Sequence, residues 1–78
     1  MDKDSAFQTI TTLIGTQFSV PVEQIRPETR LAELALDSVG LVELAGLLED
    51  EFGIDFTGAV ITMDDRIGDL AGRLIAAR

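Results

Sequence analysis

Asp37-Ser38 places a hydroxyl beside a carboxylate where a long irregular stretch gives way to a strongly patterned helix. A serine hydroxyl is a weak nucleophile unless a base activates it. The chain has no His and no Cys, so it can assemble neither a Ser-His triad nor a thiolate nucleophile. An exposed hydroxyl at a helix start could instead serve as a site of covalent phosphodiester attachment. A helix N-terminus has unpaired backbone N–H groups and a partial positive charge, so it suits a phosphate. Asp37 is a good N-cap type and would leave the Ser38 hydroxyl exposed at the lip of the helix. Taken alone, however, Asp-Ser at a helix start is also ordinary capping chemistry. The other acidic runs are weaker candidates. Glu49-Asp50-Glu51 are consecutive helical residues whose side chains diverge, Asp64-Asp65 reads as helix-start chemistry, and no metal site is expected. The seven glycines are scattered, with no phosphate-binding loop.

The elements that must position Ser38 follow from periodicity. A first helix is expected from Asp4 or Ser5, with Ser5 and Gln8 as a capping box. Phe7, Ile10, Leu13, Ile14 and Phe18 then recur at helical spacing, and Pro21 ends the helix near Ser19. Gly15, in its interior, is expected to mark close approach to a neighbouring helix. Residues 20–36 form a long connection, which Val22, Ile25, Leu31 and Leu34 are spaced to pin onto the core. A short helical turn is expected near Pro21–Ile25. The second helix runs from Ser38 to about Phe52 and ends at Gly53. Its core face is Leu41, Leu44, Ala45, Leu48 and Phe52. The opposite side carries Val39, Val42 and Gly46 flanked by Glu43, Glu49 and Asp50, which reads as a docking surface. After an extended link at 54–57, Thr57 is expected to cap a brief third helix through Val60, Ile61 and Met63. A last helix is expected from about Asp65 to Ala76, with Thr62 and Asp65 as its start signal. Ile67, Leu70, Ala71, Leu74 and Ile75 form its apolar face, and Arg78 lies at its C-terminal end. The fold class is all-α: a four-helix bundle of three main helices and one short third helix, with a long loop between helices 1 and 2.

Composition narrows the function classes. Seventy-eight residues make one domain, 1–78. Apolar residues at 46% are too many for a disordered chain. A net charge of −8 with only six Lys and Arg disfavours nucleic acid and anionic membranes as partners, and favours basic protein surfaces. The N-terminus lacks the basic and apolar regions of a secretory signal, and no apolar run approaches a membrane span, so a cytoplasmic location is expected.

The whole chain resembles the acyl carrier protein family. The resemblance lies in Ile25-Arg-Pro-Glu-Thr-Arg-Leu31, Leu34-Ala-Leu-Asp-Ser-Val39, Leu41-Val-Glu-Leu44, Glu49-Asp-Glu-Phe-Gly-Ile54 and Ile67-Gly-Asp-Leu70. It implies that Ser38 bears 4′-phosphopantetheine, added from coenzyme A by a phosphopantetheinyl transferase, with Asp37 helping to position the site. It also implies a non-catalytic, monomeric carrier of thioester-bound acyl groups. Acyl-loading, ketosynthase and acyltransferase-type enzymes would be its partners, docking on Val39, Val42, Glu43, Gly46, Glu49 and Asp50. The prosthetic thiol explains how a chain without Cys does thiol chemistry. Leu41, Leu48, Phe52 and Ile61 are candidate residues to line a folded-back acyl chain. Ala35, Val39, Gly40 and Gly46 depart from the commonest fatty acid synthesis pattern, which points toward a free-standing carrier of polyketide or related specialised metabolism. The competing readings are an aminoacyl or peptidyl carrier, and an unmodified acidic interaction module in which Ser38 only caps a helix.

Overall fold

The computed structural model describes residues 2–34, 36–54 and 61–77, with the side chain of residue 77 left aside. Helix α1 spans Lys3–Phe18, α2 spans Ser38–Phe52 and α3 spans Ile67–Ala77. Two short 3₁₀ turns, Val22–Gln24 and Leu31–Leu34, interrupt the connection between α1 and α2.

Helix α1 begins earlier than the Ser5–Gln8 spacing predicts. Its cap is Asp2, whose carboxylate accepts the Ser5 N–H at 2.8 Å. The competing cap wins because it adds a helical turn and sets an anion at the positive helix end. The hydrogen bonds from the Ser5 backbone and then its side chain hold the Asp2 carboxyl below its usual range. At the other end Ser19 takes the left-handed conformation, φ 57°, and stops the helix just before Val20-Pro21. Gly15 does permit a close approach, but of the chain's own next segment rather than of another helix. A Cβ there would lie 2.9 Å from Val22 Cγ1 and 3.3 Å from the Val20 carbonyl oxygen. The first 3₁₀ turn therefore folds back onto α1. Val22, expected to pin the loop to the core, is instead half exposed over Gly15.

The core is assembled from all three helices and the long connection. Ile10 and Ile14 of α1, Leu44 and Leu48 of α2, and Ile67, Leu70 and Leu74 of α3 are sealed from solvent, with Leu31 among them. Leu41, Ala45 and Ile75 pack on this cluster and are only partly buried. Helix α1 contacts α3 more extensively than it contacts α2. Each buried Ile or Leu is worth roughly 1.5–3 kcal/mol relative to exposure. The Asp65–Arg73 ion pair, 2.6 Å long and open to water, is worth about 0–1 kcal/mol. Burial therefore holds α3 in place.

The long connection is fastened by its backbone. The N–H groups of Leu31 and Ala32 donate to the carbonyls of Asp65 and Met63, at 3.0 and 2.9 Å. In return, Ile67 and Gly68 donate to Thr29 and Pro27, at 2.9 and 2.8 Å. Arg30 and Arg66 pair as an isolated antiparallel bridge between these bonds. The loop carbonyls thus satisfy two of the orphan N–H groups at the start of α3. Thr62 and Asp65 do form a reciprocal pair, Thr62 N–H to Asp65 Oδ2 at 2.8 Å and Asp65 N–H to the Thr62 carbonyl at 3.1 Å. The helix proper starts two residues beyond Asp65 because Asp65 and Arg66 are engaged in the ladder. The expected short third helix lies largely outside the described residues. Where the chain is described again, 61–66 form a turn and the bridge, not a helix.

Two glycines give opposite predictions. A Cβ on Gly68 would meet the Pro27 carbonyl oxygen at 3.0 Å and Pro27 Cβ at 3.1 Å. Gly68→Ala is expected to cost about 1–3 kcal/mol by prying the loop from α3. Gly46 has nothing within 4 Å of its Cβ position, so Gly46→Ala should stabilise by about 0.5–1 kcal/mol. Urea unfolding midpoints of both variants check the pair.

Candidate functional site

Ser38 is the first residue of α2 and is exposed. The capping is done by Asp37. Its Oδ1 accepts the Gly40 N–H at 2.7 Å, and its carbonyl accepts the Leu41 N–H at 2.9 Å. Asp37 has the extended backbone of an N-cap, with φ −94° and ψ −177°. The Ser38 hydroxyl is therefore not needed as the cap. The N–H groups of Ser38 and Val39 are too early in the helix to find intrahelical partners. Free donors, the helix dipole and an exposed hydroxyl meet at one point, and a phosphodiester at Ser38 Oγ would sit among them.

The entry of the chain into α2 is set from the other side. Glu33 Oε2 accepts the Arg30 N–H at 2.9 Å while Glu33 donates its own N–H to the Arg30 carbonyl at 3.0 Å, closing the second 3₁₀ turn. Leu31 and Leu34, one 3₁₀ turn apart, both point into the core. Three residues later the chain reaches Asp37.

Beside Ser38 lies a cleft of about 440 Å³ between the end of α1, the first 3₁₀ turn and the start of α2. Asp37 and Gly40 form one wall; Phe18, Val20, Gln24 and Leu36 are among the residues of the others. Of these wall residues the sequence pattern singles out only Asp37 for the site; Phe18 is read there as part of the apolar face of the first helix and Gly40 as a departure from the family pattern. The available signal was Gly40, a glycine in the first turn of a helix. A Cβ there would lie 3.3 Å from Asp37 Oδ1, 3.5 Å from Leu36 Cδ2 and 3.6 Å from Phe18 Cε1.

The residues expected to form a docking surface lie on the side of α2 where the helical pattern puts them. Val39 and Val42 are 64% and 72% exposed. Glu43 and Asp50 are exposed as well, and Glu49 is half-buried. Glu43, Gly46, Glu49 and Asp50 share a shallow depression with Leu47 and with Gln17 of α1. Val39 and Val42 stand outside it, nearer the helix start. Leu48, Phe52 and Ile61 are buried in the core and Leu41 packs against it; none of the four lines the cleft beside Ser38. Among the described residues no three acidic side chains converge on a point that could hold a metal ion.

The family model described as "Phosphopantetheine attachment site" matches residues 8–74. An acyl carrier protein of Saccharopolyspora erythraea is 35% identical over 85 residues, covering 99% of this chain and 90% of its own. The chain belongs to the acyl carrier protein family. A second acyl carrier protein, from Thermosynechococcus vestitus, is 36% identical over 56 residues, covering 70% of this chain and 69% of its own. No solved structure matches. The carrier thus bears 4′-phosphopantetheine, transports acyl groups, and deals with a phosphopantetheinyl transferase and with biosynthetic enzymes. Its described residues fit the group: a solvent-facing hydroxyl at a helix N-terminus, with the neighbouring carboxylate turned into a cap.

Because Asp37 holds the helix start, Asp37→Ala is expected to cost the carrier about 0.5–2 kcal/mol, whereas Asp37→Asn should retain most of the capping. Ser38→Ala, which removes no cap, should leave the thermal midpoint nearly unchanged. Melting curves followed by circular dichroism separate the three variants.

Proposed function

We propose that Ser38 is the phosphopantetheine attachment site of a single carrier domain, 1–78. The observation that carries this reading is that Asp37 performs the capping and leaves the Ser38 hydroxyl exposed at the helix lip. The prosthetic group supplies the thiol on which acyl groups ride as thioesters. The chain's own part is to present the Ser38 hydroxyl, to favour the phosphate with the N-terminal dipole of α2, and to hold that helix rigid through Leu44, Leu48 and Phe52. It is a carrier and not a catalyst: with no His or Cys it has no ordinary base to activate the Ser hydroxyl.

The docking face is the exposed side of α2. Val39 and Val42 supply an apolar centre, and Glu43, Glu49 and Asp50, with Gly46 between them, supply the acidic surround. Basic patches on the transferase and on acyl-loading, ketosynthase and acyltransferase-type enzymes complement it. Charge complementarity of this kind raises the on-rate and permits fast release, which suits a carrier that visits several enzymes. The monomer acts in the cytoplasm; among the described residues no helix is long and apolar enough to cross a membrane. The cargo is a polyketide or related acyl intermediate. Ala35, Val39, Gly40 and Gly46 support that choice over primary fatty acid synthesis. Leu41, Leu48, Phe52 and Ile61, packed in or against the core, are the candidate lining of an acyl chain that enters between the helices.

Incubation with coenzyme A, magnesium and a broad-specificity phosphopantetheinyl transferase is expected to add the mass of one phosphopantetheine to the wild-type protein and nothing to Ser38→Ala. A folded wild-type protein that gains no mass would sink the attachment reading. For the docking face, Glu43→Lys and Asp50→Lys should each lower kcat/KM of a partner enzyme about 1.5- to 5-fold, the equivalent of about 0.2–1 kcal/mol per exposed charge pair. The loss should shrink as salt rises. Salt-independent kinetics in the wild type would remove the acidic surround from the reading.

A further inference from the structure

The cleft beside Ser38 is not used by the attachment chemistry or by the exposed face of α2. It has two features that bear on an occupant. Its wall includes Asp37 and Gly40, one residue before Ser38 and two residues after it, so an arm tethered at the exposed Ser38 is rooted within one helical turn of the cleft. Its remaining walls mix apolar residues, Phe18, Val20 and Leu36 among them, with the polar Ser19, Gln24 and Glu33. The part of phosphopantetheine nearest the phosphate has the same alternation, with a dimethyl-substituted carbon followed by a hydroxyl and an amide. We infer that this cleft seats that pantoyl half of the arm, the dimethyl group against Phe18 and Leu36 and the first amide toward Gln24. The inference rests on Ser38 being the attachment residue.

Gly40 is the specificity element of this seat. A Cβ there would lie 3.3 Å from Asp37 Oδ1, 3.5 Å from Leu36 Cδ2 and 3.6 Å from Phe18 Cε1. A larger side chain would crowd these groups. The cleft opens on the α1 side of the α2 start, whereas Leu48 and Phe52 lie in the closed core. The arm therefore rests on the loop side when no partner holds it, and it leaves the exposed stripe of Val39 and Val42 uncovered for docking.

The test compares the unmodified and the loaded protein, the loading verified by intact mass. Two-dimensional ¹⁵N–¹H spectra are recorded for both, with isotope-filtered NOEs from the unlabelled arm to the labelled chain. The expected result is a set of amide shift changes at residues 18–24 and at Leu36, with NOEs from the dimethyl protons to the Phe18 ring and Leu36 methyls. Gln24→Ala, at an exposed position, should load equally and lose most of the shift changes at 20–24. Gly40→Val should load and lose the NOEs to Phe18. Full loading with shift changes confined to residues 37–41, or with NOEs to Leu41 or Leu48 in place of Phe18, would overturn the seat while leaving the attachment reading intact. Absence of mass gain would overturn both.

Discussion

The backbone ladder between residues 27–32 and 63–68 is the constraint on which the rest of this molecule depends. A connection as long as the one between α1 and α2 is entropically expensive to order unless something holds it in place. Here four main-chain hydrogen bonds, two of which make up the Arg30–Arg66 bridge, fasten it to the start of α3. The exchange is mutual. The loop gains fixed geometry, and α3 gains acceptors for N–H groups that its own helix cannot satisfy. Thr29, the one buried polar residue among the described residues of the loop, is itself satisfied within a tight turn with Arg26, its Oγ1 accepting the Arg26 N–H at 3.0 Å. With 27–34 fixed in this way, Leu31 and Leu34 reach the core and the chain arrives at Asp37 in register to begin α2.

That geometry explains which parts of the fold can be read from sequence. Helix α2 is legible from end to end, because each of its signals is local: Asp37 as cap, three-four spacing, and Gly53 in the left-handed conformation at φ 65°. The start of α1 is less legible, since Asp2 and Ser5 are both good caps and only the folded chain chooses between them. The ladder cannot be read at all, because main-chain hydrogen bonds leave no trace in side-chain pattern. The two residues by which α3 starts late follow from it. Val22 misleads for a related reason: an apolar residue in a loop looks like an anchor, but here it covers Gly15 on the surface of α1.

The site divides along the same line. Asp37 and Ser38 are visible in sequence because helix-start chemistry is written in adjacent residues. Val39, Val42, Glu43, Glu49 and Asp50 are visible because helical periodicity separates the core face from its opposite. The cleft is not visible, since its walls come from the end of α1, the first 3₁₀ turn and the first turn of α2. No periodicity links Phe18, Gln24 and Leu36. Only the folded ladder and the glycines at 15 and 40 bring them near one another.

On the proposed reading helix α2 serves both ends of the carrier's task, and distance keeps them apart. At about 1.5 Å of rise per residue, Asp50 lies about 18 Å along the axis from Ser38, while Glu43 lies only about 7.5 Å away. The screening length at physiological salt is about 8 Å. Charges at Glu49 and Asp50 could therefore steer a basic partner without disturbing a phosphate at Ser38. Glu43 is close enough to act on both. A partner that grips the exposed side of this helix also fixes the direction from which Ser38 faces it, because Leu44, Leu48 and Phe52 lock the opposite side into the core. The exposed valines gain little for the isolated domain; in the proposed docking their burial would come from the partner. Docking strength is thus kept out of the fold's own stability, and the carrier can bind, deliver and leave without loosening its core.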